Sequence, residues 1–203
     1  RIRSSIEPLV EVTQIKGDSE THPFISPNDE FADFEPRGKL NSSDPKTLAR
    51  ASYARAALQT GLDIEASIGV NPYKFGMIGA TDAHTGLATV DEDNFWGKMG
   101  ANEPSRYRAS ALSQFSASGY AGVWATENTR EAIFAAMKRR EVYATTGSRI
   151  VLRFFGGWDY APDSVHSPYF ETIGYRDGVP MGGELTPESD GAPTFMVQAM
   201  KDP

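Results

Sequence analysis

The stretch Phe75-Gly-Met-Ile-Gly-Ala-Thr-Asp-Ala-His-Thr-Gly86 decides the predicted fold, because it joins a short apolar run to a polar loop. Residues 75–79 predict a buried strand, so Asp82 and His84 lie in the loop at its carboxyl end. In an extended backbone, residues two positions apart point to one side, so both side chains can reach one metal ion. The alternative is that Asp82 caps an ordinary turn and His84 lies at the surface, because a catalytic metal usually takes three protein ligands.

Patterns on both sides of this stretch predict an α/β fold. Residues 6–15 form an apolar, β-branched run typical of a buried strand, and residues 142–145 indicate another strand. Asp44 followed by Pro45 predicts a helix start, because the Asp side chain can accept from the first turn and the Pro ring already has a helical φ. Apolar residues then recur at helical spacing up to an expected stop at Gly61.

Further along the chain, a second helix is predicted to begin at Asn128, with Glu131 completing a capping box. The polar, proline-containing residues 17–45 predict a long loop, and a loop of this length in a compact domain is often functional. The Gly-, Ser- and Ala-rich residues 87–122 predict mostly irregular structure.

The sequence pattern changes near residue 150. Beyond it, three apolar segments separated by Gly, Pro and Asp predict strands with no helix between them, at 150–155, 178–183 and 194–199. We therefore expect an α/β unit over residues 1–150 and the start of a β-rich domain over residues 151–203. The chain begins at Arg1 without Met and stops within the last pattern, so we expect it to be part of a longer protein.

Composition narrows the classes of partner. The chain has 27 Asp and Glu against 20 Lys and Arg, a formal net charge of −7, which argues against a nucleic-acid scaffold but leaves room for a small basic pocket that binds an anionic substrate. No apolar run approaches the roughly 20 residues of a membrane span. The absence of Cys excludes disulfides, cysteine–zinc sites and cysteine nucleophiles. The compartment, periplasmic or cytoplasmic, stays open.

Five further residues are candidates for the same site. Glu11 lies within an apolar strand, where either a metal or Arg partner offsets its burial or the side chain faces solvent. Lys16 can meet an anionic substrate, and Glu20 or His22 can reach a metal or water, if the end of that strand faces the site. Arg149 can clamp a phosphate bidentately, although an Arg in such a place is more often a structural salt bridge.

The segment Gly79–His84 resembles the last metal-binding motif of the PHP superfamily (polymerase and histidinol phosphatase domains). The segments 8–20, 127–131 and 139–149 resemble, more specifically, a bacterial PHP-related family catalogued as a domain of unknown function. The segment 178–203 resembles the C-terminal β region of that family. The match is therefore spread over most of the chain, and the block 127–149 is its most specific part.

The resemblance implies a distorted, TIM-like β/α barrel, of which residues 1–150 are the C-terminal part, with two or three zinc, manganese or iron ions at its mouth. Carried over by position, Asp82 and His84 match the final ligand pair, and Glu11 resembles the bridging carboxylate. His22 is a further candidate metal ligand. Lys16, Glu20 and Arg149 match positions of the family to which the resemblance assigns no role, and we predict that they bind the substrate.

The sequence departs from the superfamily in its histidines. The superfamily pattern starts with His-x-His on the first strand, whereas this chain has only His22, His84 and His166 and no such pair. Either an N-terminal part of the same protein, upstream of Arg1, supplies the missing imidazoles, which is what we expect, or the protein has lost the full site.

Two functions follow as hypotheses. The first is a metal-dependent hydrolase, phosphoesterase-like, in which Asp82 and His84 are catalytic and a metal-activated water attacks a small anionic ester. The second is a non-catalytic binding or structural module on the same scaffold. In that case three tryptophans would bind a glycan or a protein partner: Trp96, Trp124 and Trp158.

Overall fold

The computed structural model describes residues 2–34, 44–84, 119–186 and 191–202. Within these residues the helices are α1 (Ile2–Ile6), α2 (Pro45–Ser52), α3 (Ala54–Ile68), α4 (Arg130–Lys138) and α5 (Phe170–Asp177), with a 3-10 helix at Ser164–His166. The strands are β1 (Leu9–Gln14), β2 (Gly17–Asp18), β3 (Gly76–Gly79), β4 (Gly119–Val123), β5 (Val142–Thr146), β6 (Val151–Gly157), β7 (Gly178–Pro180) and β8 (Thr194–Met200). The predicted mixed α/β class is confirmed. Most of the irregular segment predicted at 87–122, Trp96 included, lies outside the described residues.

The first sheet has the order β2-β1-β3 and contains the strand pair that positions the candidate site. Strand β1 runs antiparallel to β2 and parallel to β3, with Leu9 opposite Gly76 and Glu11 opposite Ile78. Parallel neighbours need a long crossover, and α2 and α3 lie in the chain between them. The carboxyl ends of β1 and β3 therefore lie at the same edge of the sheet.

The second sheet pairs β4 with β5 and lies alongside β3. The amide of Gly119 donates to the carbonyl of Ala80 at 3.1 Å. A Cβ on Gly79 would lie 2.7 Å from the carbonyl oxygen of Tyr120 and 2.8 Å from that of Thr145, so the close approach of these backbones requires glycine. None of the sheets in the described part of the chain closes into a barrel.

The first predicted helix begins where the sequence indicates. Asp44 is the N-cap and its carboxylate accepts from the amide of Thr47 at 3.1 Å, while Pro45 is the first helical residue. The helical stretch is divided, however, because Tyr53 adopts an extended conformation between α2 and α3.

The expected stop at Gly61 is wrong, since α3 continues to Ile68 and ends at Gly69, which has a φ of 69°. Gly61 instead permits close packing, because a Cβ there would collide with the side chain of Asn71. A glycine inside a helical pattern can thus mark a contact rather than an end.

Two other boundaries differ from the sequence prediction. The N-cap of α4 is Thr129 rather than Asn128, with the Thr129 hydroxyl accepting from the amide of Ala132 at 3.3 Å. Residues 119–122, predicted as irregular, belong to β4, because pairing along the full length of β5 outweighs their low strand propensity. Within the predicted loop 17–45, the described residues form the short strand β2 and a series of turns.

The third sheet has the order β7-β6-β8 and carries the aromatic core of the chain. Its three strands confirm the predicted segments, but the prediction of an all-β segment is wrong, because α5 and a 3-10 helix lie between them. Gly174, a residue of low helix propensity, lies inside α5. A Cβ there would lie 2.5 Å from the ring of Phe155, which is 1% exposed and packs edge-on against Phe170. The domain boundary near 150 stays a prediction.

Candidate functional site

Asp82, His84 and Lys16 meet at the shared carboxyl edge of β1 and β3. The ammonium of Lys16, two residues after β1, forms an ion pair with Asp82 Oδ2. On the other side, His84 Nε2 lies 3.4 Å from Asp82 Oδ1. The carboxylate is 20% exposed, whereas the imidazole is 54% exposed and the lysine 39%, so the cluster is open to solvent.

The backbone before Asp82 is fixed by a hydrogen bond at Ala80, and Asp82 itself has a strained conformation. The amide of Ala80 donates to the carbonyl of Thr13 at 3.0 Å, which fixes the end of β3 against β1. Asp82 then has a φ of 51°, a left-handed conformation that side-chain-bearing residues rarely adopt, although Asp tolerates it better than most. The Asp82 and His84 side chains do lie together, but through this left-handed residue rather than through the extended backbone that the sequence suggested.

Glu11 lies at the surface of β1. Its side chain is exposed, whereas Val12 and Thr13, the next two residues, are both buried. The register of β1 on β3 shifts between Glu11 and Thr13, which explains why simple alternation fails here. Of the two alternatives that the sequence left open for Glu11, the structure shows the solvent-facing one. Because the carboxylate is not buried, it needs no metal or Arg partner to offset a burial cost.

Glu20 is paired with α3. Its Oε1 accepts from Arg55 Nη2 at 2.7 Å, and the same guanidinium holds Asp29 Oδ2 at 2.6 Å through Nη1. Backbone hydrogen bonds from Ala54 and Arg55 to the carbonyls of Ser19 and Glu20 fix this loop on the first turn of the helix. Glu20 therefore positions the loop that follows β2.

His22 lies in a small aromatic group. Its Nδ1 accepts from the amide of Phe24 at 3.2 Å, and its ring centroid lies 4.7 Å from that of Phe24 and 5.5 Å from that of Tyr53. Asp18, four residues earlier, is partly buried, and this burial raises the pKa of its carboxyl. The contacts with Phe24 and Tyr53 give His22 a packing role.

Arg149 joins the end of the second sheet to the end of the third. Its amide donates to Asp202 Oδ2 at 2.8 Å, and its Nε lies 3.6 Å from Asp202 Oδ1. The geometry corresponds to the structural salt bridge that the sequence left as the alternative to a phosphate clamp. His166 is exposed on the 3-10 helix.

The donor chemistry of the pair Asp82 and His84 suits a first-row divalent metal, because one carboxylate oxygen and one imidazole nitrogen lie side by side. Catalytic metals usually take three protein ligands. Within residues 2–34, 44–84, 119–186 and 191–202, no three His, Cys, Asp or Glu side chains are grouped to hold an ion. The described residues thus fit part of a metal site.

Sequence reasoning missed a second polar cluster, at the opposite end of the β4–β5 pair. It contains four linked side chains: Arg139, Glu141, Arg153 and Tyr175. Glu141 is 5% exposed although it directly precedes an apolar strand. A charged residue next to the first apolar residue of a strand was the available signal, but its partners are distant in the sequence.

The observations define a mixed α/β chain in which one carboxylate, that of Asp82, lies between a lysine and a histidine at the edge of a parallel strand pair. The chain belongs to the family described as "Protein of unknown function (DUF3604)", whose model matches residues 1–203. No curated protein and no solved structure matches the chain significantly. Across the residues that the structure describes, none of the helices combines the length and the apolar character that crossing a membrane requires.

Proposed function

We propose that this chain supplies Asp82, His84 and Lys16 to the active site of a metal-dependent hydrolase of small anionic esters, with phosphoesters as the first class to test. The observation that supports this most directly is the 3.4 Å approach of His84 Nε2 to Asp82 Oδ1 in a loop at the carboxyl edge of β1 and β3. The parallel β1–β3 crossover is also the connection from which a TIM-like barrel is built. The barrel itself is part of the proposal.

Each of the three residues has a role that follows from its chemistry. Asp82 and His84 would hold a zinc, manganese or iron ion, and such an ion supplies a water of lowered pKa and polarises the phosphoryl oxygen. Lys16 balances the Asp82 charge in the present arrangement. Its flexible stem also lets the ammonium turn toward the anionic group of a bound ester and hold the substrate in the site.

The other predicted positions receive less support from the geometry. Glu20 and Arg149 are held in ion pairs. Glu11 lies at the surface, and His22 lies in an aromatic group. A centre of two or three ions would need donors beyond the described residues.

The test uses the natural full-length protein. Metal content is measured by mass spectrometry, and hydrolysis is assayed on aryl phosphate mono- and diesters with added Zn²⁺, Mn²⁺ or Fe²⁺. We expect Asp82→Asn and His84→Gln each to lose bound metal and hydrolysis, whereas Asp159→Asn, an exposed acid elsewhere, retains both. Unchanged metal content in both site variants, with no ester hydrolysed by the wild type, would overturn the proposal.

The alternative of a glycan- or protein-binding module gains no support from the two described tryptophans. Trp124 Nε1 donates to the carbonyl of Leu152 at 2.9 Å, and its ring is covered by the guanidinium of Arg153. Trp158 Nε1 donates to the carbonyl of Thr186 at 3.0 Å. Neither indole offers a free face with a free N–H of the kind that stacking on a sugar uses.

A further inference from the structure

A cavity of about 370 Å³ lies at the opposite end of the β4–β5 pair from Asp82. Its lining includes Trp124, Thr126, Arg139, Glu141, Arg153 and Tyr175. Strand pairing places Val123 opposite Val142 at the cavity end and Gly119 opposite Thr146 at the other end, where Gly119 is bonded to Ala80. Four residue steps of about 3.3 Å separate the two ends, so the cavity end of the strand pair is roughly 13 Å from the end that contacts Ala80.

Among the described residues, Glu141 is the only carboxylate that lines the cavity, and its charge is balanced by Arg139. Glu141 is 5% exposed, and its Oε2 accepts from Arg139 Nη2 at 3.1 Å. Its Oε1 accepts from the hydroxyl of Tyr175. Burial and the adjacent Glu141 carboxylate raise the pKa of the Tyr175 phenol, so the hydroxyl stays protonated and keeps donating. Both carboxylate oxygens are thereby satisfied.

Arg153 is the cation that this network leaves over. Its Nη1 donates to the Tyr175 hydroxyl at 2.9 Å, and its guanidinium lies 3.4 Å from the centre of the Trp124 ring. In the part of the chain that the structure describes, no carboxylate comes within ion-pair distance of Arg153, and its Nε is buried without a hydrogen-bond partner. The lining therefore carries two guanidiniums against one carboxylate.

We propose that this cavity binds a small molecule through an oxyanion, a carboxylate, sulfate or phosphate group, placed against Arg153. A partly buried guanidinium with donors to spare is costly unless an anion pairs with it, and its planar fork matches the geometry of these groups. The volume lies within the range of small-molecule sites. This inference rests on none of the residues of the proposed hydrolase site.

The test is isothermal titration calorimetry of the full-length protein with sulfate, phosphate and benzoate, each at matched ionic strength in chloride. We expect saturable binding of at least one anion, and the rank of the three identifies the oxyanion. Arg153→Met is expected to weaken binding at least 10-fold. The matched control is Arg176→Met, an exposed arginine paired with its neighbour Asp177, which should bind as the wild type does.

A second variant separates binding from a purely structural network. Glu141→Gln keeps one oxygen acceptor in this network but removes the negative charge, so we expect anion binding to strengthen several-fold. It also supplies the decisive comparison if Arg153→Met fails to fold. Weaker or unchanged binding in Glu141→Gln, equal affinity in a folded Arg153→Met, or no saturable heat with any of the three anions would overturn the proposal.

Discussion

The loop around Asp82 and the cluster around Glu141 lie at opposite ends of one strand pair, and each places a carboxylate beside a cation. Asp82 is 20% exposed, is paired with a lysine that is itself 39% exposed, and lies on a left-handed backbone. The Glu141 side chain is 6% exposed, and its two oxygens accept hydrogen bonds from Arg139 and Tyr175. The Asp82 carboxylate is therefore open to solvent, whereas the Glu141 carboxylate is buried among its partners.

Under the proposed function, this difference separates a residue that serves the chemistry from one that serves the structure. The left-handed backbone at Asp82 persists only if the surrounding contacts hold it, and the bonds from Ala80 to Thr13 and from Gly119 to Ala80 hold the adjoining residues. Glu141 connects β5 to α5 through Tyr175 and so ties the second sheet to the third. Substitutions at the two carboxylates should therefore affect different measurements.

The largest expected effect is at Asp82. In Asp82→Gly, hydrolysis should fall roughly 1,000-fold, about 4 kcal/mol of barrier, because the proposed ligand is lost. Stability should stay within about 1 kcal/mol of wild type, because glycine adopts the φ of 51° without strain. Urea unfolding and ester hydrolysis are measured together, with Asp82→Ala as the matched variant that is equally inactive but less stable. A Gly variant that retains activity would remove Asp82 from the site.

The second largest effect is expected at Glu141, where a substitution should lower stability and leave hydrolysis unchanged. Glu141→Ala should lower the free energy of unfolding by about 2 kcal/mol, because it leaves Tyr175 without its acceptor and Arg139 without its ion pair. Hydrolysis per folded molecule should not change. Glu131→Ala, an exposed carboxylate on α4, is the control. Loss of activity in the folded fraction would show that the two ends of the strand pair are coupled.

Lys16 should show an intermediate effect. In Lys16→Met the KM for an anionic ester should rise about 10-fold, because the ammonium no longer meets the oxyanion. Stability should change by less than about 1 kcal/mol, since the ion pair with Asp82 is partly exposed. Steady-state kinetics are compared with those of Lys138→Met, a lysine at the end of α4. A fall in kcat at unchanged KM would assign Lys16 to the chemical step instead.

The smallest effect is the pH dependence at Asp18. Burial raises the pKa of the folded carboxyl above its unfolded value, so the folded state binds more protons and this group adds stability as the pH falls through the raised pKa. Asp18→Asn should therefore be more stable than wild type at pH 7, by less than about 1 kcal/mol. The gain should disappear near pH 3, where both states are protonated. Thermal unfolding at the two pH values measures it, and a larger gain at acid pH contradicts the assignment.

The sequence could predict contacts that depend on local geometry. Asp82 and His84 are two residues apart, and Lys16 follows a strand whose parallel neighbour precedes Asp82, so their meeting follows from strand order. The partner of Glu20 could not be predicted, because Arg55 is brought to it by the way α3 packs on the loop. The same limit applies to Arg153 and Tyr175, which face each other only through tertiary packing.

Two glycines account for differences between the predicted and the observed helices. The conformational preference of glycine predicts a helix stop at Gly61, and Gly174 lies inside α5, a helix that the sequence pattern does not predict. Each in fact accommodates a neighbouring side chain, Asn71 and Phe155 respectively. Sequence reasoning assigns glycine its backbone freedom but cannot see which neighbour occupies the missing Cβ position.

The parallel pairing of β1 with β3 has a kinetic consequence. Its two strands are separated by the whole segment between Gln14 and Gly76, so the chain must close this long loop before the first hydrogen bond forms. The third sheet, from Val151 to Met200, closes over shorter spans around Phe155 and Phe170. During refolding, the aromatic core should therefore form early, and Lys16 should reach Asp82 only in the last, slow phase.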